Sequence, residues 1–309
     1  CTVLRGSAPV ITGYVDRRSP SFSPESHDVT VGGRDRAGDL VDCSAVLDKW
    51  HFTNVSVLEL AQKICKPYGI KVTMQPGLVL PPTTIPKKFS IDPGDTSAGA
   101  LENLCRVAGV LAVSDGLGGV VLTRAGTERC TTDLVEGQNV LAASADFDYS
   151  NRFRTYLVLG QHKGNDEFHG EESSTVRGRA DDLSVRRSHR LLVVRPEGNV
   201  TKAQATSRAE WEAITRAARA DVVSIKVQGW TQGDGSLWGV NKLVKVESPT
   251  LQVDGTLLIT QATYSFGKDT GTTTTLSLKR PDAFQPEPRL VSGGANNYWK
   301  ELVNGVRVP

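Results

Sequence analysis

Val29-Thr-Val-Gly-Gly-Arg-Asp-Arg-Ala-Gly-Asp-Leu-Val-Asp-Cys-Ser-Ala45 runs from a strand into a dense charged stretch and out again. Three carboxylates and two guanidiniums fall within the nine residues Arg34 to Asp42. The alternation of Val29 and Val31 predicts a half-buried strand, and Gly32-Gly33 predicts that the backbone leaves it through conformations a side chain would forbid. Arg34, Asp35, Arg36, Asp39 and Asp42 interleave opposite charges closely enough for a forked ion-pair network, within the chain or across a subunit boundary. A solvated turn is the commoner use of such a run.

Upstream, Cys1-Thr-Val-Leu4 and Val10-Ile-Thr-Gly-Tyr-Val15 read as strands joined at Gly6-Ser7, so the sequence opens as if in the middle of a sheet and is expected to be a fragment. Downstream, residues 49–126 hold two units of the same layout. In the first, Ser56 and Glu59 have capping-box spacing, and Val57, Leu60, Ala61, Ile64 and Cys65 share one helical face ahead of Gly69 and a strand at Ile70. The second carries Leu101, Leu104, Cys105 and Ala108 ahead of Gly109 and Val110. Ile64, Cys65, Gly69 and Ile70 map onto Leu104, Cys105, Gly109 and Val110 at a constant offset of 40, the pattern of an internal duplication, although helix, glycine cap and strand are common parts in that order. Gly116-Leu-Gly118-Gly119 then predicts a hairpin.

Residues 139–160 return to strand. Residues 161–190 are polar and read as a mobile loop, with His162, Asp166, Glu167, His169, Glu171 and Glu172 as a weak metal reading and Arg177 to Arg190 as a cationic surface facing protein or solvent. Thr201 and Gln204 predict a capped helix to about residue 220, with Ala205, Ala209, Ile214, Ala217 and Ala218 along or beside its buried stripe. Alternating strands follow to Leu278, and consecutive antiparallel strands of this kind favour a small barrel. The tail ends in Tyr298-Trp299, candidate residues for docking another chain.

The 309 residues allow more than one domain, and a net charge of +2 argues against a dedicated nucleic-acid binder. Five cysteines at 1, 43, 65, 105 and 130 form no C-x-x-C pair and are expected as reduced thiols. No apolar run reaches membrane-spanning length, so membrane insertion is not expected. No catalytic or cofactor motif occurs, and no metal or cofactor is expected. Asp146 and Asp148 could be imagined as glycosidase carboxylates, and Trp230 with Trp238 as a sugar platform, but a polar strand face and a packed hairpin end explain them more simply.

Gly33-Arg-Asp-Arg36 followed by Gly38-Asp-Leu-Val-Asp-Cys-Ser44 resembles the baseplate hub proteins of Mu-like contractile-tailed phages, a family related in fold to the T-even hub. The strand Pro9 to Asp16, the helix-strand units and Leu276-Ser-Leu-Lys-Arg-Pro-Asp-Ala-Phe284 extend the likeness over nearly the whole chain. The resemblance implies a mainly β, non-enzymatic structural protein of the virion, assembled in the host bacterial cytoplasm. It implies a homotrimeric ring in which each chain carries two small antiparallel β-barrels and an α+β insertion. Such a ring joins a hexameric tail tube to a trimeric central spike, contacts other baseplate proteins and surrounds passing DNA. The expected divisions are 1–48, a first barrel lacking N-terminal strands; 49–130, a helix-strand domain; 131–160 with 191–282, a second barrel; 161–190, the loop; and 283–309, the tail. Arg34, Asp35, Arg36, Asp39 and Asp42 are the expected subunit or domain junction. The alternatives are a cell-wall-binding or cell-wall-degrading tail component, and the hub of a contractile bacteriocin or injection machine.

Overall fold

The computed structural model describes residues 1–80, 89–126, 128–160, 176–196, 200–268 and 271–288. The chain divides into two compact units, Cys1–Arg129 and Cys130–Pro309.

In the first unit, β1 (Thr2–Arg5), β2 (Ala8–Phe22) and β3 (His27–Asp35) form an antiparallel ribbon in that order. The strand does not end at the glycine pair as expected. β3 continues through Gly32 and Gly33 into Arg34 and Asp35, and neither glycine has positive φ. Gly33 is required for a different reason, because a Cβ there would collide with the Tyr14 carbonyl across the ladder. The short helix α1 (Gly38–Asp42) follows.

The α/β part is built from β4 (His51–Phe52), α2 (Val57–Cys65), β5 (Lys71–Met74), β6 (Phe89–Ser90), α3 (Ser97–Ala108), β7 (Leu111–Ser114) and β8 (Gly119–Thr123), with the short β9 (Glu128–Arg129) closing the unit. Leu60, Ile64, Leu104 and Leu122 are fully buried in its core. Truncating such a leucine to Ala costs about 2–5 kcal/mol. Ser56 accepts a hydrogen bond from the Glu59 amide at 3.2 Å, but the reciprocal half of the expected capping box is not formed. The Glu59 carboxylate instead accepts from Lys63 Nζ at 2.9 Å. Gly69 and Gly109 both close their helical segments at φ 66° in the left-handed region, where a side chain would be strained. The two strands that follow them, β5 and β7, flank β8 on opposite sides, one parallel and one antiparallel. The two units of equal layout thus share one central strand.

In the second unit, β10 (Leu134–Val135), β11 (Val140–Phe147), β15 (Asp221–Gln228), β16 (Lys242–Ser248), β17 (Val253–Gly267) and β18 (Gly271–Lys279) lie in the sheet order β10-β16-β17-β18-β15-β11. One core joins Leu134 near one edge to Ile225, Val244, Ile259, Leu276 and Leu278. The expected barrel is not closed. β10 and β11 follow each other in sequence and do not pair, so this sheet is open, as is the β1-β2-β3 ribbon.

The strands β12 (Thr155–Gly160), β13 (Val176–Asp181) and β14 (Leu191–Val194) form a separate sheet, ordered β13-β12-β14, instead of joining the large one. The residues expected as a loop therefore include a strand at Val176–Asp181, and residues 161–175, with the His162 to Glu172 metal reading, lie outside the described residues. The helix α4 (Lys202–Arg219) covers one face of this sheet and has the full Thr201–Gln204 capping box. Its buried stripe is Ala205, Ala209, Glu212, Thr215 and Ala218, and Ile214, expected beside it, is 42 % exposed. A buried glutamate is tolerable here because Arg208 and Arg216 pair with its two oxygens at 2.9 and 2.8 Å.

The helix approaches β13 so closely at Gly178 that an added Cβ would overlap the Ala205 backbone. Gly178→Ala is expected to force α4 off the sheet, with a loss of about 1–3 kcal/mol or more in urea unfolding. An unchanged midpoint would show that the helix shifts at no cost.

Candidate interface surfaces

Arg34 is the centre of the charged stretch. Its Nη1 and Nη2 donate to Asp42 Oδ1 and Oδ2 at 3.0 and 2.5 Å, and its Nε donates to Asp16 Oδ2 at 3.1 Å. The fork thus ties β3 to α1 and to the residue extruded at the β2 bulge between Val15 and Arg17. The Arg34 side chain remains 51 % exposed, so the geometry fixes direction more than it adds stability.

The remaining charged residues have separate roles. Asp35 accepts a hydrogen bond from the Ser114 hydroxyl. The Arg36 stem lies against Gly118, where a Cβ would come within 2.8 Å of its Cδ. Asp39 contributes its backbone, receiving the Cys43 amide at 3.0 Å. With the Thr12 amide donating to the Gly116 carbonyl at 2.8 Å, these contacts seat the ribbon base on the β7-β8 turn. Of the five residues expected together, Arg34 and Asp42 meet directly. Asp16 was missed because a bulge leaves no mark in hydrophobic periodicity.

Above that base the ribbon is amphipathic. Cross-strand register and period-two alternation place Val3, Ile11, Val15, Val29, Val31 and Phe22 on one face, with Arg18 opposite Val31 and His27 opposite Phe22 among them, and Thr2, Thr12, Tyr14, Ser19, Thr30 and Arg34 on the other. The six apolar side chains are between 37 and 84 % exposed. No core cluster includes this face among the described residues.

The second unit uses its other sequence-marked residues for structure. Trp238 is 2 % exposed, and its carbonyl accepts from the Tyr264 hydroxyl. Trp230 lies 5.7 Å from the Tyr264 ring and donates to the Ser265 carbonyl at 3.0 Å. The pair closes a hairpin end and does not form a platform. Asp146 is on β11, whereas Asp148 lies beyond it and accepts from the Ser150 amide at 2.8 Å, which lowers its pKa. Arg190, one of the cationic run, donates to the Ser150 and Arg152 carbonyls at 2.5 and 2.8 Å. Burial pushes the Asp182 carboxyl up, but Ser184 and Arg152 outweigh it and its pKa falls. Among the described residues no group of three or more His, Cys, Asp or Glu could hold a metal ion, and no helix is long and apolar enough to cross a membrane. Tyr298 and Trp299 lie outside the described residues.

Two family models match the chain, the second domain of the gp44-like baseplate hub protein over residues 37–124 and the fourth domain of the Mu phage baseplate assembly protein GpP over residues 201–287. The first match begins directly after the Arg34 to Arg36 segment, and the second spans from the α4 capping box to Glu287, an ion-pair partner of Arg208. The baseplate hub protein gp44 of Escherichia phage Mu is 31 % identical over 288 residues, covering 92 % of this chain and 75 % of the phage protein. The crystal structure of the prophage MuSo2 43 kDa tail protein from Shewanella oneidensis matches with a TM-score of 0.79 and 31 % identity over 93 % of this chain and 81 % of that one. The tail protein from Neisseria meningitidis MC58 shares the fold, with a TM-score of 0.76 at 24 % identity over 93 % of this chain and 85 % of its own.

The Arg34 hydrogen bonds hold the Asp42 carboxyl below the ordinary carboxylate range. The stability from this pairing is present above the unfolded carboxylate pKa and is lost as pH falls through the lowered folded value. Carbon-detected NMR titration is expected to show the Asp42 midpoint rising into the ordinary range in Arg34→Ala. A midpoint that does not move would refute the fork.

Proposed function

This chain belongs to the family of the phage Mu baseplate hub protein gp44, and from that premise we propose that it works as a structural ring subunit in a contractile-tail baseplate. Three copies form a ring between a hexameric tail tube and a trimeric central spike, with a passage through which DNA travels. Each chain brings two sheet-bearing units, so three chains present six, and the ring matches sixfold symmetry on one side and threefold on the other. Barrel closure in this reading belongs to the assembly.

The observation that supports it is the uncovered apolar face of the β1-β2-β3 ribbon. A sheet this narrow, with six large apolar side chains in solvent, is unstable alone and is the kind of surface that monomers rarely leave open. The Arg34 fork at the ribbon base holds that face at a fixed angle, as a junction requires. The sugar-binding alternative loses its residues to packing, since Trp238 is buried and Trp230 packs at a tilt against Tyr264.

Light scattering on a sizing column is expected to give three times the 33.3 kDa chain mass. Phe22→Glu with Val29→Glu, which change exposed side chains, should dissociate the assembly without altering circular dichroism. A monomer that stays monomeric with spike and tube proteins added would exclude the ring.

A further inference from the structure

The β1-β2-β3 ribbon has a counterpart inside the second unit. β2 and β17 are both 15 residues long, β3 and β18 are both 9, and each pair is an antiparallel hairpin with a third strand, β1 or β16, on the other side of the longer one. Each longer strand carries one extra residue at the same rung. Val15 lies opposite Gly33 and Arg17 opposite Gly32 in one ladder, and Ile259 opposite Leu278 and Gln261 opposite Ser277 in the other. In this register Thr12 falls on Thr256, Ser21 on Ser265, and Phe22 on Phe266, each phenylalanine standing six rungs past the bulge.

The second unit shows how far a core reaches along such a hairpin. The counterparts of Val15, Val29 and Val31 are Ile259, Thr274 and Leu276, and all three are fully buried there. Ala262 and Tyr264 follow on the same face and are partly buried against that core. Phe266 comes next and is 80 % exposed; Phe22 is 84 % exposed, and these are the two highest values for a large apolar side chain among the described residues. Covering the ribbon as β16-β17-β18 is covered would therefore bury Val15, Val29 and Val31 and leave Phe22 clear. A bare aromatic ring at the same rung of two hairpins marks a contact with a partner.

Symmetry selects the partner. A threefold spike needs one such contact per chain, whereas a sixfold ring needs two that are alike. We propose that Phe22 and Phe266 are equivalent docking points for the tail tube, each seated in an apolar pocket that the sixfold tube ring repeats once per subunit. The proposal rests on the ring reading above and names the contacts of its sixfold side.

The test uses the full chain and the purified tail tube protein of the same tail, with tube binding followed by biolayer interferometry and the mass of the hub by light scattering. Phe22→Ser is expected to keep the trimer, because Val15, Val29 and Val31 stay in place, and Phe266→Ser leaves the ribbon untouched. Each should weaken tube binding about tenfold or more, to a similar degree, and the two together more than either alone. Trimers that bind the tube unchanged in both variants, or a wild-type trimer that does not bind it, overturn the docking points and leave the ring standing. A loss confined to one of the two residues overturns their equivalence and with it the sixfold match. A wild-type chain that stays monomeric with tube protein present overturns both readings. Vesicles of phosphatidylethanolamine and phosphatidylglycerol that capture the wild type and neither variant, with tube binding unchanged, would assign the rings to a lipid surface and also overturn the proposal.

Discussion

A three-stranded ribbon has two faces and no interior, so its apolar side chains can leave water only against something else. In this protein the alternation in β2 and β3 sends Val15, Val29, Val31 and Phe22 to one side, where they remain exposed. Burying each such side chain is worth roughly 1.5–3 kcal/mol, so the ribbon holds apolar surface that any covering neighbour would stabilise. What keeps that surface useful is the anchoring below it. Arg34 and Asp35 end β3 and Arg36 follows directly, and each side chain engages a different neighbour: the bulge and α1, the β7 hydroxyl of Ser114, and the Gly118 turn. A run that looks like a solvated turn is an anchor pinned from three directions.

What was legible in the sequence follows from range. Local signals translated well, because a capping threonine, a glycine after a helix and a period of 3.6 act within one or two turns. Thr201 with Gln204, and the matched caps at Gly69 and Gly109, lie where the sequence put them. Failures began where side chains compete for partners, one helical turn away or far along the chain. Glu59 chose Lys63 over its own cap, Glu212 entered the buried stripe because two arginines came with it, and the strand of Val176–Asp181 formed inside a polar run because Tyr156 and Val158 offered a ladder. Asp16 could not be found at all without knowing where β2 bulges.

The charged stretch and the exposed apolar faces show the same division. Density of charge pointed to Arg34 and Asp42, whose contact spans eight positions. The exposed apolar faces of the ribbon and of the β17-β18 hairpin end were invisible, since an alternating strand reads identically whether its apolar side meets a core or a neighbouring molecule. Family membership supplies what alternation cannot, that these chains work in assemblies.

The shared strand β8 has a kinetic side. Ser114 faces Val120 only six positions on, whereas Lys71 must find Gly119 across 48. Closing the longer loop costs roughly 2 kcal/mol more in chain entropy, so the two look-alike halves cannot be equals during folding. The hairpin that follows α3 offers a finished edge, and the strand that follows α2, although made earlier on the ribosome, has to wait for it. A symmetric-looking pair in the folded protein thus carries unequal closure costs, the hairpin strand being the cheaper edge to form and the strand after α2 the dearer one to add.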